Sequence, residues 1–374
     1  MDRRVPCVVM RGGTSKAIVF AAADLPVDSS AADRVILDAF GSPDPRQIDG
    51  LGGADPLTSK LAIVSPSEHS DADVDYLFGQ VGIATGAINY RVSCGNTAAA
   101  VAVFAIQEGL VPPGDGQTSV RIFSRNSKKI IVAEVPTRRG EVVTEGDFSI
   151  SGVPRPGPEI RLQFLDPAGS VTGQLLPSGS VVDEIDLQSG DRIRFSLVDC
   201  GNLYALMRAR DFGLDGTESP EQIESMPGFM QKVEDLRAAI AAQYLPPLEV
   251  EAAPGASAAR LKIAVAGQAG GAVSNGAPHL HARIINPERV HKAFAVTGAI
   301  NVAAAAGIPG TIVSELCAAT DGSPSHVRIG HPQGCIDAYV DTEDSRGGLA
   351  IRSVRISRTA RRILDGHVYV PVAG

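Results

Sequence analysis

The chain has 374 residues, of which 44% are hydrophobic and 20% are charged, and its 40 glycines and 25 prolines are typical of a turn-rich globular protein. This length favours two domains over one. A net charge of -8 counts against a nucleic-acid binder, because a phosphate backbone must be met by an excess of Lys and Arg.

Hydropathy and cysteine usage narrow the class of protein further. No stretch approaches the ~20 apolar residues of a membrane span, so we expect no membrane partner. The five cysteines follow neither a zinc-ligand spacing nor a C-x-x-C spacing. We therefore expect no metal site and a reduced compartment, namely the cytoplasm.

Short β-rich segments dominate the chain and are separated by clusters of Gly, Pro, Asp and Ser. In chain order they are VPCVVM, AIVF, LAIVS, AINYRV, VRIF, KIIVAEV, EIRLQF, RIRFSLVD, LYALM, LKIAVA and HVYVPV. Helical patterns are fewer and include ADRVILDAF and TESPEQIESMPGFMQKVEDLRAAIAAQY. The predicted fold class is therefore α+β with strands in the majority, without a βαβ rhythm.

Two alanine-rich segments predict buried helices. The segment 93–109, SCGNTAAAVAVFAIQEG, has a polar start, strong helix formers and a terminal Gly, and it is apolar on every face. A second segment, VTGAINVAAAAGIPG from Val296, places Thr297 where Cys94 stands in the first. This repeat predicts two pseudo-symmetric lobes, each a curved sheet around a central helix, with both helix N-termini at a cleft that attracts an anion.

Two residues are candidates for acid–base chemistry. Cys94 opens the first central helix, whose N-terminus stabilises a thiolate, and a small buried hydrophobe is the alternative. Lys60 enters an apolar strand in GLGGADPLTSKLAIVSPS, where desolvation favours the neutral amine that a general base requires. The alternative is a strand-end lysine that keeps its ammonium group in water.

Two turns are candidates for substrate binding. The motif RGGTSK at 11–16 lacks the spacing of a phosphate loop, and we exclude a nucleotide site. We interpret it as a bend whose N–H groups, with the Thr14 and Ser15 hydroxyls and Arg11, hold a carboxylate; a plain tight turn is the alternative. The segment GHPQG is a rigid turn that could aim His331 at a ligand, or a hairpin with a solvated histidine.

Six segments in order along the chain closely resemble the PrpF-type family of 2-methylaconitate cis-trans isomerases, 4-oxalomesaconate tautomerases and methylitaconate isomerases. They are RGGTSK, DPLTSKLAIVSPS, SCGNTAAAV, HKAFAVTGAI, RIGHPQG and RTARRILDGHVYV. The resemblance implies a diaminopimelate epimerase-like fold with the active site between two lobes, each β-barrel-like around its helix. We expect the first lobe at 1–187, completed by a strand at 366–374, and the second at 188–365.

The resemblance also implies roles for individual residues. Lys60 and Cys94 are expected to be the catalytic acid–base pair. The expected substrate-binding residues are Arg11, Thr14, Ser15, Ser93, Gly95, Asn96, Thr97, Thr297, Gly298, His331 and Gly334.

The expected reaction follows from the residue at the second helix. Diaminopimelate epimerases carry a cysteine at both helix starts, whereas Thr297 cannot act as a base at neutral pH. We therefore expect a 1,3-allylic proton shift, through a dienolate and without metal or organic cofactor, in an unsaturated di- or tricarboxylate such as oxalomesaconate, methylaconitate, aconitate or methylitaconate. An epimerase or racemase of the same fold and a non-catalytic polycarboxylate-binding protein are the alternatives. The sequence leaves open the substrate, the direction of proton transfer, the pathway and assembly into a homo-oligomer.

Overall fold

The computed structural model describes residues 2–245, 261–270, 276–287, 289–318, 325–345 and 348–371. The chain forms two compact units. Unit 1 comprises Met1–Gln163 and Ser357–Gly374, and unit 2 comprises Phe164–Ile356.

Unit 1 contains two α-helices and most of the strands from the first half of the chain. Its helices are α1 (Ser29–Phe40) and α2 (Gly95–Gln107), and its strands are β1 (Asp2–Gly12), β2 (Ser15–Ala21), β3 (Lys60–Pro66), β4 (Val74–Val81), β5 (Ile88–Asn89), β6 (Gly116–Ser124), β7 (Lys129–Arg138), β8 (Glu141–Val142), β9 (Ile160–Leu165, at the junction) and β18 (Ala360–Pro371).

The sheet of unit 1 lies between its two helices. Strand β1 pairs antiparallel with both β18 and β2, β2 pairs parallel with β3, β3 antiparallel with β4, β4 parallel with β6, and β6 antiparallel with β7. Helix α2 is buried from Gly95 to Ile106 and contacts strands along this whole row. Helix α1 covers the other face, where Ile36 and Phe40 pack with Ile18 and Leu61.

Unit 2 repeats this arrangement with longer helical insertions. Its helices are α3 (Pro220–Glu224), α4 (Phe229–Tyr244), α5 (Val296–Gly307) and α6 (Ile312–Ala318), and its strands are β10 (Asp183–Asp186), β11 (Arg192–Cys200), β12 (Asn202–Arg208), β13 (Lys262–Gln268), β14 (Leu280–Ile285), β15 (His326–His331), β16 (Gly334–Ser345) and β17 (Gly348–Arg358, ending at the junction).

The strand pairings confirm the predicted internal repeat. From β11 to β16 they run antiparallel, parallel, antiparallel, parallel and antiparallel, the same order as β1, β2, β3, β4, β6 and β7 in unit 1. Helix α5 is buried from Val296 to Ala306, as α2 is in unit 1. Both first hairpins turn through a glycine with positive φ, Gly13 at 51° and Gly201 at 67°. The prediction of two pseudo-symmetric lobes around central helices is therefore confirmed.

The boundaries of the two units differ from those expected for the two lobes. Residues 164–187 group with unit 2, because β10 pairs with β11 and the backbone around Val171 donates to the Asp199 carboxylate. Residues 357–365 group with unit 1, because β18 pairs with β1 from Asp2 to Gly12. Tertiary pairing, which local sequence does not encode, sets both junctions.

Several predicted elements differ in length from the observed ones. The pattern over 217–244 gives two helices, α3 and α4, because Pro227 and Gly228, at φ 73°, interrupt it. AINYRV forms only the short β5. No single helix among the described residues is long and apolar enough to cross a membrane, and α5 with α6 meets that test only as a pair bent by 73°.

Candidate active site

Cys94 stands at the start of α2. It is the N-cap residue, with extended backbone (φ -134°, ψ 103°), and its side chain is partly exposed. The Thr97 hydroxyl donates to Cys94 Sγ at 3.2 Å, and Ser15 Oγ lies 3.9 Å from the same sulfur. A hydroxyl donor and a helix N-terminus both stabilise negative charge on the sulfur atom.

Lys60 is the first residue of β3 and is only 8% exposed. Its Nζ donates to Gln80 Oε1 at 2.8 Å and lies 5.2 Å from the centroid of the Phe78 ring. Gln80 Nε2 donates to the backbone carbonyls of Pro56 and Ser59, at 3.2 and 3.0 Å. Because the amide nitrogen faces two acceptors, the amide oxygen must face Lys60. The hydrogen-bond acceptor of Lys60 Nζ is therefore a neutral amide oxygen.

The sheet register places Lys60 and Cys94 on the same face. Lys60 lies opposite Gln80 on β4 and opposite Ala17 on β2. Ser15, which approaches Cys94 Sγ, is two residues before Ala17 and so points to the same side, about 7 Å along the strand. This is the face that α2 covers.

Tyr76 links β4 to the start of α2. Its hydroxyl donates to the Cys94 carbonyl oxygen at 3.3 Å. Burial raises the pKa of Tyr76 well above its ordinary value, negative charge on Cys94 raises it further, and the hydrogen bond with Thr97 acts in the opposite direction. Tyr76 is therefore a protonated donor at neutral pH, which fixes the backbone at Cys94.

The RGGTSK bend packs directly on the first turn of α2. Asn96 Nδ2 donates to Thr14 Oγ1 at 3.2 Å, and Arg358 Nε donates to Asn96 Oδ1 at 2.9 Å. Gly13 has a positive φ of 51°, and a Cβ at this position would overlap the Asn96 side chain. Glycine is thus required here both by the backbone conformation and by the close approach.

Arg11 has a different environment from the other residues of the bend. Its guanidinium donates to the carbonyl oxygens of Gly13 and Thr359, each at 2.9 Å. Burial, and then the charge of Arg361, lower the pKa of Arg11. Since Gly12 faces α2, the alternation of β1 directs Arg11 to the opposite face. The structure thus ties Arg11 to the hairpin, and its role in carboxylate binding stays a prediction.

The remaining predicted site residues divide between the two units. Ser93, Gly95, Asn96 and Thr97 surround Cys94 in unit 1. Thr297, Gly298, His331 and Gly334 belong to unit 2, at the first turn of α5 and at the β15–β16 hairpin.

The unit 2 residues pack among aromatic side chains. Thr297 shares a hydrogen bond with Tyr204, and burial raises the pKa of Tyr204 to about 12. His331 is buried and stacks on Phe294 with 6.1 Å between ring centroids. Across the described part of the chain, no group of three or more His, Cys, Asp or Glu side chains is arranged to hold a metal ion.

Comparison with known proteins decides the family. The family model described as PrpF protein matches residues 2–371. The chain belongs to the PrpF family.

Curated relatives of this PrpF-family chain are isomerases of small carboxylic acids by name. The 3-methylitaconate isomerase of Eubacterium barkeri is 40% identical over 99% of this chain and 98% of its own. The (4E)-oxalomesaconate Delta-isomerase of Novosphingobium sp. (strain KA1) is 38% identical, over 98% and 97%. The 2-methyl-aconitate isomerase of Cupriavidus necator is 34% identical, over 98% and 97%.

Solved structures confirm the expected fold. A crystal structure of methylitaconate-delta-isomerase superposes with a TM-score of 0.79 at 40% identity, covering 99% of this chain and 96% of that one. A hydroxyproline epimerase from Agrobacterium vitis superposes with a TM-score of 0.57 at 14% identity, covering 98% and 93%, and shows likeness of fold alone.

Three residues of this PrpF-family chain were not singled out from the sequence, although each contacts a predicted site residue. Tyr76 and Gln80 lie on β4, whose segment VDYLFGQV lacks a regular alternation of apolar and polar residues. Arg358 opens the RTARRILDGHVYV segment, but its partner Asn96 is 262 residues away in the chain, so local sequence does not pair them.

Proposed function

We propose that this protein is an isomerase that moves a proton along an unsaturated di- or tricarboxylate, with Lys60 and Cys94 as the acid–base pair. The observation that carries the proposal is the placement of both side chains on the α2 face of the sheet, with neutral hydrogen-bond partners at their functional atoms. A nearby carboxylate would hold Lys60 as ammonium, whereas the Gln80 amide accepts from either the amine or the ammonium form.

The proposed reaction starts on a carbon next to a C=C–COO⁻ group. One member of the pair removes a proton, the electron pair left on carbon shifts the double bond, and a dienolate forms. The other member returns a proton at the far carbon. Because the proton lost is regained, the step is redox-neutral and needs no organic cofactor. The direction, from Lys60 to Cys94 or the reverse, stays open.

Substrate charge is met by the first turn of α2. Buried Gly95, Asn96 and Thr97 present a helix N-terminus, which favours anions, and the Thr14 and Ser15 hydroxyls lie beside it. Such donors stabilise the dienolate oxygens as charge develops. In unit 2, Thr297, Gly298, His331 and Gly334 remain proposed binding residues.

The substrate class comes from the relatives. Their names specify methylitaconate, oxalomesaconate and methyl-aconitate, all small acids with a conjugated carboxylate. We infer a substrate from this group. We also infer a cytoplasmic location, which five cysteines without C-x-x-C spacing support.

Proton NMR in D₂O tests the proposal. The wild type should move the vinylic signals of at least one of these acids and incorporate deuterium at the new sp³ carbon. Lys60→Met and Cys94→Ser should each lower the rate by at least about a hundredfold, whereas Cys335→Ser, a second partly exposed cysteine, should not. Full activity in both site variants would refute the assignment, and inversion at a chiral carbon without a vinylic change would indicate an epimerase.

A further inference from the structure

Arg358 is a buried cation that reaches the proposed carboxylate site through the Asn96 side chain. It is 7% exposed, and Asn96 is 3% exposed. Arg358 Nε donates to Asn96 Oδ1 at 2.9 Å, and Arg358 Nη1 donates to the Ser357 carbonyl oxygen at 2.7 Å. Asn96 in turn reaches the half-buried Thr14 hydroxyl at 3.2 Å.

The direction of each hydrogen bond in this chain follows from chemistry. A guanidinium can only donate, so the Asn96 atom that faces Arg358 must be the amide oxygen. The Asn96 NH₂ group therefore faces Thr14 and donates to Thr14 Oγ1. Since this hydroxyl oxygen already accepts, its own O–H is left to donate elsewhere. A charged donor at the start also polarises the bonds that follow.

We propose that Arg358 is a positioning residue that, through Asn96, turns the Thr14 hydroxyl into a hydrogen-bond donor for a substrate carboxylate. This inference rests on the proposed function in one respect, namely that Thr14 faces the substrate. Arg358 itself does not touch the substrate. It orients and polarises the Asn96 amide, which can approach the RGGTSK bend because Gly13 has no side chain.

The sharpest test reverses one hydrogen bond with little change in shape. Asn96→Asp keeps the bond to Arg358 and makes it an ion pair, but the oxygen that faces Thr14 can then only accept. The Thr14 O–H must turn toward Asp and is withdrawn from the substrate. We expect KM for 3-methylitaconate to rise about tenfold to a hundredfold, with the melting temperature unchanged or higher.

A double-mutant cycle separates this reversal from simple repulsion by the new carboxylate. Thr14→Val removes the hydroxyl and should raise KM by a similar factor. If the hydroxyl carries the effect, Asn96→Asp adds less than about threefold in the Thr14→Val background. If the full factor recurs there, the negative charge acts directly and the inference is wrong.

Arg358 is tested by two substitutions and a matched control. Arg358→Met should raise KM at least about tenfold with a smaller change in kcat, and Arg358→Lys should recover part of it, because a lysine keeps one donor. Arg362→Met removes another arginine that contacts α2, at Gln107 and Glu108, and should leave KM unchanged. Equal KM values in wild type, Arg358→Met and Asn96→Asp would overturn the inference.

Ligand binding distinguishes this failure from failure of the proposed function. The rise in melting temperature with 3-methylitaconate reports binding even if no proton moves. A wild type that binds 3-methylitaconate but exchanges protons with none of the three acids would refute the isomerase. The Asn96 and Arg358 variants would then still test the proposed role of Arg358 through this shift in melting temperature. If the wild type exchanges protons and the Asn96 and Arg358 variants bind the acid as well as the wild type does, only the proposed role of Arg358 is refuted.

Discussion

Gln80 offers the most direct test of Lys60 as a titrating group. Gln80→Glu keeps the length of the side chain but replaces the neutral acceptor, 2.8 Å from Lys60 Nζ, with a carboxylate. A charge-assisted hydrogen bond contributes about 1.5–3 kcal/mol. At about 1.36 kcal/mol for each pH unit, one pH of half-maximal activity should rise by about one to two units. It is the acidic one if Lys60 removes the proton, in which case activity at neutral pH falls and recovers in alkaline buffer, and the alkaline one if Lys60 returns the proton.

The assay is the pH dependence of kcat/KM for vinylic isomerisation, with Gln80→Met as the companion variant. The methionine removes the donors to the Pro56 and Ser59 carbonyls, so the free energy of unfolding should fall by about 2–4 kcal/mol in urea titrations. Because it introduces no charge, it should not raise the pH at which kcat/KM is half-maximal. A Gln80→Glu profile with both midpoints of the wild type would show that Lys60 exchanges no proton during turnover, and its assignment to the acid–base pair would be wrong.

Three further predictions concern the surroundings of the site and the pH dependence of stability. Tyr76→Phe should lower the free energy of unfolding by about 1–3 kcal/mol in urea and reduce kcat several-fold, because the Cys94 carbonyl loses its donor; an unchanged kcat would separate Tyr76 from the chemistry. Gly13→Ala, which forces Asn96 aside, should lower kcat/KM more than about tenfold while circular dichroism stays native. Burial lowers the pKa of His281, so the unfolded chain binds the proton first as pH falls below about 6.5 and stability decreases toward acid; His281→Gln should make the melting temperature less sensitive to pH in this range.

The two central helices could be predicted because their signal is local and strong. Both α2 and α5 combine a small polar start with an alanine-rich interior that is apolar on every face, and such a helix is stable only when a sheet surrounds it. Strand β4 is not predicted because VDYLFGQV contains Asp75 and Gly79, which depress strand propensity. Gln80 is tolerated because it meets Lys60 on β3 and carbonyl groups in the loop before β3, and Asp75 because it accepts from the Ser67 hydroxyl.

The candidate catalytic residues could also be found from sequence, but their partners could not. Lys60 and Cys94 lie in distinctive segments, and family resemblance gave them roles. The contact between Gln80 and Lys60 follows from the β3–β4 register. The contact between Arg358 and Asn96 follows from the return of the chain to unit 1 at Ser357. A residue whose function is exerted through one hydrogen bond to another side chain leaves no periodic or compositional trace.

The proposed site assigns two requirements to different residues, because a single residue cannot meet both. Proton transfer needs groups that can exist in either protonation state, whereas binding of a polycarboxylate needs fixed positive charge. In the proposed mechanism Lys60 and Cys94 meet the first requirement, because Gln80 and Thr97 are neutral partners that tolerate both states. In the proposed site the α2 N-terminus and buried Arg358, which donates to Asn96, meet the second. In a chain of net charge -8, attraction for an anion must come from such local, buried sources, which salt screens less than it screens surface charges.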